Sequence, residues 1–219
     1  RFLSKFIYPK STISHFDVDG AVAFTIDDGF CGADNFDGCM IEEVRQLFKR
    51  YNAKATFFIT GSHVNSKFKI DIDSLINDGH ELVNHNMMDW PYTSYSSIEF
   101  NADLDETESI LSQYRLNPPR WYRAPFGKLN KTMQQVLDNR EMIHVVCDAF
   151  ANDTAIPDSE WIASFILKKV KPGSIVLIHM PEKGVREWNF KALELTLEGL
   201  HNRGLKILTL TEISNLEKN

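Results

Sequence analysis

Residues 21–29 read Ala-Val-Ala-Phe-Thr-Ile-Asp-Asp-Gly, an apolar run that ends abruptly in an acidic pair and a glycine. Apolar and β-favouring residues over this length predict a buried strand, and Asp-Asp-Gly predicts that the chain leaves the sheet there. The same order, an apolar run followed by polar residues, recurs along the whole chain. The predicted strands are 21–26, 55–59, 81–84, 121–124, 142–147, 174–178 and 205–208.

Longer amphipathic stretches separate these strands and predict helices. The predicted helices are 41–51, 70–77, 97–114, 131–140, 159–169 and 190–202. Strands that alternate with helices need crossover connections, which produce a mostly parallel sheet. The sequence therefore predicts an α/β protein with about seven parallel strands, built either as a (β/α) barrel or as an open doubly wound sheet.

The composition is typical of one folded domain spanning residues 1–219, because 43% of the residues are hydrophobic and 25% are charged. The net charge of −6 lacks the basic excess that nucleic-acid binding or attachment to an anionic membrane surface requires. The sequence has no apolar run approaching the roughly 18–20 residues of a transmembrane helix. Cys31 and Cys39 either pair across a small loop or stay reduced, whereas Cys147 is expected to be a buried thiol.

Polar side chains follow the predicted strands at the points where the strands end. In parallel α/β sheets, catalytic and binding groups gather at the carboxyl ends of the strands. Each such residue alone is common in turns or on surfaces, but here two carboxylates, two imidazoles and a guanidinium would share one edge. These residues are Asp27, Asp28, His85, Arg123 and His179. Their convergence predicts an active site.

Three of the polar residues are candidates for metal binding. His85 and Asp89 are spaced i, i+4, so one helical turn would direct both side chains to the same point, and Asp28 would add a carboxylate. Mixed nitrogen and oxygen ligation suits zinc, cobalt, nickel, iron(II) or manganese and does not select among them. Adjacent side chains of a strand diverge to opposite sides, so Asp27 is expected to act as a base beside the metal.

These residues and their order resemble the polysaccharide deacetylase family, the NodB-homology group that includes chitin and peptidoglycan deacetylases. Residues 25–29, Thr-Ile-Asp-Asp-Gly, resemble its first motif, and residues 79–85, Gly-His-Glu-Leu-Val-Asn-His, resemble the approach to its second. Residues 123–127, Arg-Ala-Pro-Phe-Gly, and residues 172–179, Pro-Gly-Ser-Ile-Val-Leu-Ile-His, are similar to two later motifs. The resemblance covers about residues 22–210 and implies a distorted (β/α) barrel.

The resemblance also implies residue roles in acetyl-group hydrolysis. Asp27 would be the base, with Arg123 holding its carboxylate, and His179, paired with Asp153, would be the acid. A second set of residues would contact the substrate: Pro125, the backbone N–H of Phe126 as an oxyanion donor, and Leu177 beside the acetyl methyl group. Asp28, His85 and Asp89 would hold one divalent ion, for which zinc is expected, with cobalt, nickel, iron and manganese as alternatives.

Two departures from the family pattern leave alternatives open. Asp89 stands where the family has a second metal-binding histidine, and Phe150-Ala-Asn-Asp153-Thr keeps only the second aspartate of the family's D-x-x-D-W and lacks its tryptophan. The expected function is a metal-dependent hydrolase that removes acetyl groups from N-acetylated sugars. The alternatives are a carbohydrate-binding pseudoenzyme of the same fold and an amidohydrolase acting on a small non-sugar amide.

The presumed substrate sets the remaining expectations. An N-acetylated oligosaccharide or polysaccharide of a cell wall or matrix favours a secreted or cell-surface location over a cytoplasmic one. The partner expected is that glycan rather than a nucleic acid. The sequence does not predict the sugar, the chain length, a choice between N- and O-deacetylation, or the oligomeric state.

Overall fold

A computed structural model describes residues 12–115, 117 and 119–218 of the chain. Its strands form one curled parallel sheet in the order β1-β6-β5-β4-β3-β2-β8-β7, with β9 paired to β2. The strands are β1 (Thr12–Ile13), β2 (Ala21–Gly29), β3 (Thr56–Ile59), β4 (Glu81–Asn84), β5 (Trp121–Tyr122), β6 (Ile143–Val145), β7 (Ala149–Phe150), β8 (Ile175–His179) and β9 (Lys206–Leu208). The predicted parallel α/β fold, a distorted barrel, is confirmed. The seven predicted strands are present, and β1 and β7 are additional strands of two residues each.

Strand β2 pairs with three other strands, and every one of its nine residues is buried. One edge pairs with β8, where Asp27 lies opposite His179. The other edge pairs with β9 near the start of β2 and with β3 near its end. Because all these pairings are parallel, the acidic end of β2 and the histidine at the end of β8 reach the same edge of the sheet.

Helices surround the sheet and largely follow the predicted amphipathic stretches. They are α1 (Ile41–Arg50), α2 (Lys69–Asn77), α3 (Ser97–Leu111), α4 (Lys131–Asn139), α5 (Ser159–Lys169), α6 (Trp188–Asn202) and α7 (Leu210–Glu217). Helix α7 was not predicted, because its eight residues are too few for a clear helical period. Its start does carry a local signal, a capping box in which Thr209 and Glu212 satisfy each other's backbone N–H groups.

The two faces of β2 pack into different hydrophobic clusters. Val22, Phe24 and Ile26 belong to the large cluster shared with the surrounding helices. Ala21 and Ala23 belong to a second cluster, with residues from five further strands and from α7. Side chains alternate along a strand, so Thr25 and Asp27 share the face of Ala21 and Ala23. This inner face carries the chain's polar residues toward the mouth of the barrel.

Two further findings concern the cysteines and the lengths of the helices. Cys31 and Cys39 form a disulfide that closes the loop after β2. Cys147 is half-buried as a whole residue, but its thiol is desolvated, which raises the thiol pKa to about 12. Among the described residues, no helix combines the length and apolar character needed to cross a membrane.

Candidate active site

The carboxylate of Asp27 is held by a fixed guanidinium. Arg123 Nη1 donates a hydrogen bond to Asp27 Oδ1 at 2.5 Å and another to Thr25 Oγ1 at 3.0 Å. Arg123 Nε donates to the backbone oxygen of Val145 at 3.0 Å, and the guanidinium stacks on the Phe58 ring, 4.0 Å from its centroid. Both members of the ion pair are buried. The predicted pairing of Asp27 with Arg123 is therefore present, and it fixes the orientation of the Asp27 carboxylate.

Asp28 does not diverge from Asp27 as strand alternation predicted. Its backbone φ of 58° lies in the left-handed region, which is unusual for a residue other than glycine and breaks the alternation at the end of β2. Both carboxylates consequently face His85 Nε2. The distance from this nitrogen is 3.6 Å to Asp28 Oδ1 and 4.0 Å to Asp27 Oδ2. Such strained backbone is found most often at functional sites.

The orientation of His85 is set by its second nitrogen. His85 Nδ1 lies 2.7 Å from the backbone oxygen of Arg123. A carbonyl oxygen only accepts, so Nδ1 carries a proton and Nε2 is the nitrogen directed at Asp28. A carboxylate oxygen and an imidazole nitrogen that converge in this way match the donors preferred by zinc and related ions. Asp28 and His85 therefore fit a divalent metal ion as two of its ligands.

The helical turn predicted between His85 and Asp89 is wrong. Residues 87–90 form bends, and Asn86 has a φ of 66°, so an irregular loop rather than a helix joins the two residues. Asp89 is exposed, yet partial burial of its carboxyl group and the negative charge of Asp28 raise its pKa. Within the described ranges, no three His, Cys, Asp or Glu side chains gather as a metal-binding cluster.

Arg186 is a site residue that was not predicted from the sequence. Its Nη1 lies 3.0 Å from Asp28 Oδ2, and its Nε donates to the backbone oxygen of Met180 at 2.8 Å. Burial raises the pKa of Asp28, but the positive charges of His179 and Arg186 outweigh that effect and lower it overall. Arg186 lies on the loop between β8 and α6, and no motif or spacing in the sequence marks it.

His179 and Asp153 form a second charged pair across the mouth of the barrel. Asp153 Oδ1 lies 2.9 Å from His179 Nδ1, and Asp153 Oδ2 accepts from the backbone N–H of His179 at 2.7 Å. Asn189, also missed, donates to Asp153 Oδ2 at 2.9 Å and to the His179 backbone oxygen at 3.1 Å. Burial lowers the pKa of His179, but Asp153 outweighs it, and the pKa rises to about 9. His179 is therefore protonated at neutral pH.

The predicted substrate-contacting residues occupy different environments. Pro125 is buried and begins a short 3-10 turn after β5, and Leu177 is buried within β8. Phe126 follows in that turn with a φ of 56°, and 64% of its surface is exposed. Phe150 lies beside His179, with the ring centroids 6.3 Å apart. An exposed aromatic ring is thus present next to His179, although the family tryptophan is missing.

Comparison with known proteins identifies the family. A family model described as polysaccharide deacetylase matches residues 17–143, and the chain belongs to that family. A bifunctional xylanase/deacetylase of Pseudobutyrivibrio xylanivorans is 26% identical over 90% of this chain. The matched region is 31% of the length of that relative. A peptidoglycan-N-acetylglucosamine deacetylase of Bacillus cereus is 24% identical over 90% of this chain and 69% of its own length. The predicted family is confirmed.

Solved structures share the fold. A CE4 family pseudoenzyme from Bacillus anthracis superposes with a TM-score of 0.80 at 20% identity, over 95% of this chain and 70% of its own. A family 4 acetyl xylan esterase from Clostridium thermocellum, in complex with a cobalt ion, has a TM-score of 0.77 at 27% identity, over 90% and 91% of the two chains. The single domain spanning 1–219 stays a prediction, and its first eleven residues lie outside the described part of the chain.

Proposed function

We propose that this chain is a metal-dependent deacetylase that removes acetyl groups from N-acetylated sugars. One observation carries the proposal: two adjacent buried carboxylates face one imidazole, and each has its own guanidinium partner, Arg123 for Asp27 and Arg186 for Asp28. Adjacent carboxylates with different partners are suited to different tasks, one to proton transfer and one to metal binding. Relatives named as peptidoglycan and chitooligosaccharide deacetylases support the same chemistry.

Asp27 is the proposed general base. Arg123 engages Oδ1 of its carboxylate and leaves Oδ2 facing the space beside His85. That free oxygen is placed to accept a proton from the attacking water. Arg123 is itself held at Thr25 and Val145, so it keeps the carboxylate in position while the proton moves.

Asp28 and His85 are the proposed metal ligands, and Asp89 is proposed as a third from the same loop as His85. A divalent ion bound there would polarise the acetyl carbonyl and make an attacking water more acidic. We propose zinc as the ion, with cobalt the first alternative, because the acetyl xylan esterase of similar fold holds cobalt. The hydrogen bond from His85 Nδ1 to the Arg123 backbone keeps Nε2 directed at the ligand position.

His179 is the proposed general acid. Asp153 binds Nδ1, which leaves Nε2–H free to give a proton to the departing nitrogen. An amine leaves an amide only when it is protonated, so a histidine whose pKa is raised to about 9 suits this step at neutral and mildly alkaline pH. The backbone N–H of Phe126 is proposed to stabilise the oxyanion, and Pro125 and Leu177 to line the acetyl pocket.

The exposed aromatic rings support a sugar substrate. Phe150 beside His179 and Phe126 after Arg123 offer flat apolar surfaces of the kind that pack against pyranose rings. A wall or matrix glycan lies outside the cell, so we propose a secreted or surface location. The Cys31–Cys39 disulfide supports this location, because disulfides persist in oxidising compartments.

A carbohydrate-binding pseudoenzyme is the second candidate function. The observation that favours it is the exposed position of Asp89, which leaves Asp28 and His85 as the only two ligands brought together among the described candidates. A glycan would then bind at the same mouth without losing its acetyl group.

Acetate release separates the two candidates. The metal-loaded protein is incubated with N-acetylchitooligosaccharides, peptidoglycan fragments and O-acetylated xylan, and free acetate is measured. The deacetylase proposal expects release from at least one N-acetylated glycan and a near-complete loss in Asp27→Asn. Tight glycan binding without acetate release would overturn the enzyme and leave the pseudoenzyme.

A further inference from the structure

Three carboxylates of the site each have a cationic partner. Asp27 is paired with Arg123, Asp28 with Arg186, and Asp153 with His179, at distances of 2.5, 3.0 and 2.9 Å. A buried carboxylate without a nearby cation is costly, and each of these has one. Arg186 is therefore the cation that compensates Asp28, the carboxylate assigned to metal binding.

Arg186 reaches Asp28 from a loop that is anchored at its base. Glu182 Oε1 accepts from the backbone N–H of Gly32 at 3.1 Å and from Asn35 Nδ2 at 2.8 Å. These contacts join the Arg186 loop to the loop closed by the Cys31–Cys39 disulfide. The tip of the loop, residues 183–185, is exposed. The anchor holds the loop in place, while the Arg186 side chain, 14% exposed, borders solvent.

We infer that Arg186 is an internal competitor for the metal site, a guanidinium whose positive charge on the Asp28 carboxylate opposes the binding of a divalent ion. This inference rests on the proposed function, because it concerns the same metal site. Arg186 holds Oδ2 of Asp28, whereas Oδ1 of the same carboxylate faces His85 Nε2. The guanidinium therefore neutralises the carboxylate that would bind the ion, and its positive charge repels a divalent ion at the neighbouring oxygen. Arg186 thus lowers metal affinity.

The test measures metal affinity directly. Metal-free wild type, Arg186→Gln and Arg50→Gln are titrated with Co²⁺ and with Zn²⁺ by calorimetry, and the visible absorption of bound Co²⁺ reports the coordination at the site. Arg50 pairs with Glu194 at 2.8 Å on the exposed side of α1, so Arg50→Gln removes the same charge away from the site. We expect Arg186→Gln to lower the Kd by about tenfold, because it removes a positive charge that repels the ion at short range, and Arg50→Gln to leave it unchanged.

Arg186→Lys provides a second variant in case Arg186→Gln does not fold. Lysine keeps the positive charge but loses the fork that joins Asp28 to the Met180 carbonyl, so its Kd is expected to fall between those of the wild type and Arg186→Gln. Folding of each variant is checked by circular dichroism before the titration.

Each result decides the inference. Tighter binding in Arg186→Gln alone supports it, as does binding in that variant when the wild type binds none. Metal binding by Arg186→Gln that is as tight as in the wild type or weaker overturns the inference, and so does a tightening in Arg50→Gln equal to that in Arg186→Gln. In either case, acetate release by the metal-loaded wild type would leave the proposed function intact. No binding by wild type or variants overturns both this inference and the metal dependence of the proposed function.

Discussion

Replacing Asp153 by asparagine should convert His179 from a protonated to a neutral imidazole. In the wild type, Asp153 Oδ2 accepts from the His179 backbone and from Asn189, while Oδ1 accepts from His179 Nδ1. In Asp153→Asn, the side-chain oxygen can still accept from the His179 backbone N–H and from Asn189, so the NH₂ group of the asparagine must face His179 Nδ1. That NH₂ donates, which forces Nδ1 to accept and removes the proton.

The size of the effect follows from the two pKa values. The pKa of His179 is raised from 6.5 to about 9, with burial opposing the rise and Asp153 as the main cause of it. At pH 8 a pKa of 9 leaves about 90% of the imidazole protonated, whereas a pKa of 6.5 or below leaves about 3% or less. If His179 is the acid, Asp153→Asn should lower kcat/KM for an N-acetyl substrate about 30-fold at pH 8.

The assay is the pH dependence of acetate release from an N-acetylchitooligosaccharide between pH 5 and 10. The descending alkaline limb should move from near pH 9 in the wild type to near or below pH 6.5 in Asp153→Asn. Asp158→Asn is the matched control, because it removes one carboxylate from an exposed N-cap and asparagine caps equally well. An alkaline limb in Asp153→Asn that stays near pH 9 would refute the role given to the pair.

Four further outcomes are expected. His179→Ala should slow cleavage of an N-acetyl amide more than that of an activated acetyl ester, whose leaving group needs little protonation; equal losses would show that His179 is not the acid. Asp89→Ala should weaken Zn²⁺ binding in calorimetry, and Asp89→His should keep or strengthen it; unchanged affinity in Asp89→Ala would show that Asp89 is not a ligand. Arg123→Leu should lower the free energy of unfolding by about 3–5 kcal/mol in urea titrations, because it leaves Asp27 buried without its cation; a loss below about 1 kcal/mol would contradict the buried pair. The free energy of unfolding of the metal-free wild type should fall by up to about 3 kcal/mol between pH 6.5 and 9. The pKa of His179 is higher in the folded than in the unfolded protein, so its protonation stabilises the fold fully below pH 6.5, and this stabilisation is lost as the pH rises through the folded-state pKa. A free energy of unfolding that does not change over this pH range would contradict the raised pKa.

The sequence was most informative where local pattern decides structure. Apolar runs located the seven main strands, and the rule that chemistry gathers at strand ends placed Asp27, His85, Arg123 and His179 on one edge. The parallel register of β2 and β8 then sets Asp27 opposite His179. These features depend on periodicity and strand direction, which a single sequence contains.

The sequence was least informative where backbone conformation or long-range contact decides. The left-handed conformations of Asp28 and Asn86 turn one carboxylate inward and replace the expected helical turn with a bend, and neither follows from residue spacing. Arg186 reaches Asp28 from a loop that Glu182 ties to residues about 150 positions earlier. Contacts between distant segments carry no local signal, so this cation was missed.

Metal titration of activity tests the central claim most directly. Metal-free wild type and Asp27→Asn are titrated with Zn²⁺ while acetate release from an N-acetylchitooligosaccharide is followed, and bound metal is measured in the same samples. We predict that wild-type activity rises to a plateau at one ion per chain, whereas Asp27→Asn binds the ion with similar affinity and releases almost no acetate. Acetate release that does not depend on metal, or near-normal turnover in metal-loaded Asp27→Asn, would contradict the roles assigned to the carboxylate pair.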